Sequence, residues 1–170
     1  METAFINQIE EWTNRRVGDK IFDSDKDDWK VNTSVFESRL MSKEHLIIII
    51  EDEDGNKFGG YVNCKIEEVG GWINDSKSFV FSLESNGRIE GMMKFDNEEP
   101  EYAFKIYNQT DDYLFSFGNG WDIVVYKEND KTYSHCEQNC FEYEGISNAL
   151  CGKQIPECFT PKRIIVIEMK

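Results

Sequence analysis

The sequence predicts a mainly β (α+β) fold: a sandwich of two antiparallel sheets, with helices flanking it at the N-terminal end. Three observations carry this. Helical spacing of apolar residues is confined to the chain before Lys43. Beyond Lys43 the period changes, and β-branched and aromatic runs recur as HLIIIIE, KFGGYVNC, KSFVFSL, YAFKIY, YLFSF, WDIVVYK and RIIVIEM. The run Leu46 to Ile50 is apolar at every position, which a strand needs only when both faces of its sheet are covered. By contrast Phe79, Phe81 and Leu83 alternate with Ser78, Val80 and Ser82.

In chain order, Phe5, Ile6, Ile9 and Trp12 place one apolar stripe on a helix over residues 4–16, with Thr3 as its cap and Gly18 as its stop. A second helix is expected from Thr33 to Leu40, capped by Asn32, with Val35, Phe36 and Leu40 turned inward. Asp54-Gly55-Asn56 is a tight-turn signal, so residues 45–51 and 57–64 form a hairpin. Asn86-Gly87 and Gly118-Asn119-Gly120 mark further turns. No Pro-, Gly- or Ser-rich linker separates helices from strands, so residues 1–18 are read as an amphipathic helix packed on a domain of residues 19–170.

Charge narrows the function. Thirty-three Asp and Glu oppose 19 Lys and Arg, a net charge of −14, which repels nucleic-acid phosphates and anionic membranes and favours a basic protein partner. The N-terminus has no secretory pattern, no apolar run approaches the ~20 residues of a membrane span, and the cysteines are odd in number. Reduced thiols in the cytoplasm follow from that combination.

Several clusters suggest chemistry. Asp23, Asp25 and Asp27 occupy positions 1, 3 and 5 of a calcium-type loop, but Asp28 stands where the loop needs glycine and Ser34 where it needs a bidentate Glu. Cys136, Cys140, Cys151 and Cys158, beside His135, are the candidates for a zinc or redox centre, although their C-x3-C, C-x10-C and C-x6-C spacings lack paired knuckles. His45 opens an apolar strand and is read as structural. Phe58-Gly59-Gly60-Tyr61 matches no nucleotide-binding loop and is read as a strand whose glycines permit close backbone approach. Gly118 and Gly120 serve a turn before Asp122. Trp72, after Gly70-Gly71, is the aromatic candidate for contact with a partner. No cofactor is implied.

Read in order, Ile21 to Trp29, Phe58 to Tyr61, Ser78 to Leu83 and Phe117 to Asp122, with a closing strand at Arg163 to Met169, resemble the TLDc domain family. The resemblance spans residues 19–170 and implies a two-sheet sandwich flanked by helices. It also implies a non-enzymatic module of oxidative-stress resistance, which in several members contacts the peripheral subunits of the vacuolar ATPase. The cysteine-bearing stretch from Ser134 to Cys158 departs from that pattern.

Overall fold

The computed structural model describes residues 1–85, 89–151 and 157–170. Its first element is the helix α1 (Thr3–Thr13), followed by strand β1 (Val17–Asp23) and a short helix α2 (Phe36–Leu40). Strands β2 (Leu46–Asp52), β3 (Lys57–Val62), β4 (Phe79–Glu84) and β5 (Met93–Asp96) come next. The second half holds β6 (Lys105–Ile106), β7 (Tyr113–Phe117), β8 (Ile123–Tyr126), β9 (His135–Cys136), β10 (Glu157–Cys158) and β11 (Pro161–Met169).

They pair antiparallel into a six-stranded sheet of order β1-β11-β2-β3-β4-β5 and a five-stranded sheet of order β10-β9-β8-β7-β6. The expected β-sandwich is therefore the observed one. Side-chain alternation fixes which residues meet between the sheets. Ile48, Ile50, Phe58, Val80, Ile164 and Val166 point in from the larger sheet and meet Phe104, Phe115, Phe117, Ile123 and Val125 of the smaller half.

The opposite face of the six-stranded sheet is apolar as well, which is why Leu46 to Ile50 are all buried. Ile47, Ile49, Tyr61, Phe79 and Phe81 form a second core there with Phe5 and Ile9 of α1, and Trp12 packs against it at 5.7 Å from the Phe81 ring. A helix of 11 residues is too short to persist alone in water. Burying side chains of this size, at about 1.5–3 kcal/mol each, holds it on the sheet.

The helix ends before the expected stop. Asn14 takes the left-handed conformation at φ 54° and its N–H returns to the Glu10 carbonyl, so asparagine performs the capping expected of Gly18. Gly18 lies in β1 instead. The Thr3 side chain makes no cap either, since Glu2 holds that position. The second helix begins at Phe36, not Thr33, because Asn32 is left-handed at φ 74° and the Ser34 hydroxyl accepts the Phe36 N–H at 3.2 Å. The 45–51/57–64 hairpin forms with Ile48 opposite Gly60 and Ile49 opposite Gly59. The Asn86-Gly87 turn lies outside the described residues.

That register explains both glycines. A Cβ on Gly60 would collide with the ring of Phe117 from the facing sheet, and one on Gly59 would collide with the Ile48 carbonyl oxygen. Gly60→Val should cost about 3 kcal/mol by overpacking and lower Tm by roughly 6–12 °C for a domain of this length. Combining Gly60→Ala with Phe117→Leu should recover part of the loss seen by circular dichroism; strictly additive losses would show that the two residues do not compete for one space.

Candidate functional site

The turn between β7 and β8 is built around a buried carboxylate. Gly118 (φ 82°) and Gly120 (φ 91°) reverse the chain, Trp121 donates its N–H to the Gly118 carbonyl at 3.0 Å, and Asp122 returns beneath the turn fully buried. Gly118 must lack a side chain twice over, for its positive φ and because a Cβ would strike Asp122 Oδ1. Asp122 accepts the backbone N–H groups of Asn139 (2.9 Å) and Cys140 (2.9 Å) and the Tyr143 hydroxyl (2.7 Å). Burial pushes its carboxyl up from 3.8, while those donors pull it back. The result is an anchor that ties the 139–143 segment to the second sheet.

The cysteine segment hangs from this anchor. Cys136 faces the inter-sheet core, Cys140 and Cys151 are buried, and Cys158 is exposed on the edge strand β10. Cys140 donates to Glu99 Oε2 at 2.8 Å, and burial together with that carboxylate pushes its thiol up to about 12, so it stays protonated at neutral pH. His135 pairs across the strands with Cys158, and its Nδ1 lies 2.9 Å from the Tyr133 carbonyl oxygen. Among the described residues no three His, Cys, Asp or Glu side chains converge as metal ligands. Cys136, Cys140 and Cys151 belong to the inter-sheet core, and Cys158 stands apart from them on the edge.

The acidic run beside β1 is likewise turned to structure. Asp23 is buried and receives the Arg163 guanidinium in two contacts, at 3.1 and 2.7 Å, and Lys20 at 2.7 Å. Asp25 also lies on Arg163 at 3.2 Å, and Asp27 on Arg39 at 3.2 Å while it accepts the Asp23 N–H. Cations of the protein itself stand where the sequence offers ligands to calcium. The Arg163 contact holds the Asp23 carboxyl well below its usual range.

Sequence reasoning missed Lys127, whose side chain is buried with its Nζ donating to the carbonyls of Asn108 (2.6 Å), Gln109 (3.3 Å) and Asp111 (2.5 Å). Burial lowers its pKa from 10.5. Its neighbours in the chain carry no signal of this, because the acceptors are backbone. Asp52 was missed too: it accepts from the Asn56 side chain at 2.9 Å and closes the β2–β3 turn.

Trp72 is half-buried, packed edge-on against Tyr102 at 5.7 Å with the Lys105 ammonium 5.4 Å from its ring. A cavity of about 660 Å³ opens between α1 and the sheet, floored by Ile49, Ile165 and Ile167. No described helix is long and apolar enough to cross a membrane.

The chain is thus a two-sheet antiparallel sandwich with a helix laid on its outside, and its buried polar groups hold turns and loops in place. The TLDc domain family matches residues 2–164, and the chain belongs to that family. The match begins within the first residues and so takes in α1. No curated protein matches the chain.

Two substitutions check the anchors. Asp122→Asn keeps the shape but turns an amide NH2 toward backbone N–H groups that cannot accept it, and should cost about 3 kcal/mol in urea unfolding; a loss below ~1 kcal/mol would remove Asp122 from that role. For Asp23 the folded pKa is depressed, so its contribution is present above the ordinary value of 3.8 and is lost as pH falls below it. The stability gap between wild type and Asp23→Asn should therefore be constant from pH 7 to about pH 5 and shrink below about pH 4. A gap that widens on acidification would contradict the pairing.

Proposed function

We propose that this TLDc domain is a non-enzymatic protein-interaction module, acting in the cytoplasm in resistance to oxidative stress. The observation that carries the reading is the family match over nearly the whole chain. The internal chemistry supports it. Among the buried groups whose ionisation is displaced, Asp52, Asp122, Lys127 and Cys140 each hold a backbone segment or a neighbouring side chain in place. A catalytic group needs such displacement and also access to a substrate.

The partner the family suggests is the peripheral sector of the vacuolar ATPase. A chain of net charge −14 is suited to a basic surface on such a partner. The rival, thiol chemistry, is left with Cys158 on an edge strand, since the Cys140 thiol is held protonated and Cys136 and Cys151 are buried.

Affinity capture of the tagged protein from its own cells, with and without peroxide, tests this. Retention of vacuolar ATPase subunits, identified by mass spectrometry, is the expected outcome. A capture without any of them, combined with one fast peroxide-reactive thiol in a titration of the purified protein, would transfer the function to Cys158.

A further inference from the structure

The two sheets are covered differently. On the six-stranded sheet α1 closes the outer face, whereas among the described residues no α-helix lies on the outer face of the five-stranded sheet. Alternation there sends Phe115, Phe117, Ile123, Val125 and Cys136 into the core, and turns Ser116, Val124, Tyr126 and His135 outward. Ser116 and Val124 are nevertheless fully buried. What buries them is a layer of rings.

The Tyr107 hydroxyl lies 3.1 Å from Ser116 Oγ, and the ring of Tyr113 stands 5.1 Å from Tyr107, 5.2 Å from Trp121 and 4.8 Å from Tyr126. Tyr133 continues the layer 5.9 Å beyond Tyr126, and His135 lies 5.6 Å from Trp121. Roofing two small residues accounts for the inner sides of these rings, but not for Tyr133, which is 63% exposed. Nor does it account for Trp121, held left-handed at φ 67°, a conformation that is costly for an aromatic residue and that turns its indole onto Tyr113.

The surroundings set the sign of a partner. Asp112 precedes Tyr113 and its carbonyl accepts the Lys127 N–H at 2.8 Å, while Asp130 donates its N–H to the Lys127 carbonyl at 2.9 Å, so both residues are tied to the chain next to Tyr126; burial and Tyr113, with these two carboxylates adding, push the Tyr126 phenol up to about 12. Among the described residues neither carboxylate forms an ion pair with a lysine or arginine. At the far edge the protein already places one cation on this layer, with Lys105 Nζ 5.0 Å from the Tyr107 ring. Aromatic faces attract cations, and a guanidinium can lie flat on a ring while its N–H groups reach a carboxylate.

We propose that this outer face, floored by Tyr113, Trp121, Tyr126 and Tyr133 and rimmed by Asp112 and Asp130, docks an arginine-bearing segment of a partner protein. The inference rests on the interaction-module reading and gives it a surface. Arginine is favoured over lysine because stacking and bidentate pairing use its planar fork.

The test uses a fluorescein-labelled peptide of alternating glycine and arginine, its lysine and glutamate counterparts, and the whole protein at about 0.15 M salt. Tyr133→Ala, Asp112→Asn and Asp130→Asn, combined in one variant, alter no fully buried group, and an unchanged melting curve verifies the fold. The arginine peptide should bind wild type and shift the Trp121 indole resonance, the lysine peptide should bind several-fold more weakly, and the triple variant should lose roughly tenfold in affinity. Equal binding to variant and wild type, equal or better binding of lysine or glutamate peptides, or no binding of the arginine peptide would each overturn the proposal. The two readings fail separately. ATPase subunits captured equally by wild type and triple variant would leave the module and remove this surface, whereas specific peptide binding without ATPase capture would keep the surface and remove that partner.

Discussion

The ring of Phe117 lies where a side chain on Gly60 would otherwise stand, and the spacing of the two sheets depends on that substitution of ring for side chain. Sheets packed face to face hold their backbones about 10 Å apart by interdigitating side chains. Here one strand contributes none at the point of contact, so the facing ring reaches the backbone itself. Ile48 and Phe58 share the inter-sheet core with Phe104 and Phe115, and the Phe58 ring packs edge-on against Phe159. Close-packed interiors transmit such constraints, so the placement of β7, and of the turn that follows it, is set from β3.

From that turn outward, polar groups take over the ordering. Asp122 gathers the N–H groups of the 139–143 segment, Lys127 gathers the carbonyls of the 108–111 loop, and Asp52 closes the β2–β3 turn against Asn56. Each is a buried charge or carboxyl satisfied chiefly by the chain's own backbone, which is the condition under which burial is tolerated. The long loops of the second half thus acquire fixed positions with little regular secondary structure. They carry the tyrosines and Trp121 that form the outer aromatic layer.

The sequence made the sandwich legible because its strongest signals are periodic. The five-residue apolar run in β2 and the Asp54-Gly55-Asn56 turn each depend on neighbours within a few positions, and each fell where expected; β4, which alternates in sequence, is buried on both faces as far as Leu83. What escaped was decided at a distance. Strand β1 has irregular register with β11, so Val17, Ile21 and Phe22 show no clean alternation. The run WDIVVYK yields a strand only from Ile123, since Trp121 belongs to the turn. Asp23, read as one ligand in a local acidic cluster, meets Arg163 from the far end of the sequence. Trp72 was the aromatic singled out by its glycine neighbours, yet the denser group around Tyr113 is assembled from separate elements and has no linear pattern to read.

The position of β11 has a consequence for how the protein is made. This strand, the last in sequence, lies between β1 and β2, one strand in from an edge of the larger sheet, and Asp23 meets Arg163 across 140 residues. A ribosome adding about 5–20 residues per second needs roughly 7–30 s to supply that partner. Throughout that interval β1 has nothing to pair with and the isoleucine-rich edge of β2 stands open, a template for the edge of any neighbouring nascent chain. A message cut short before Pro161 yields a product that cannot close its principal sheet, so chaperones that mask strand edges have a defined window in which to act and a defined segment to hold.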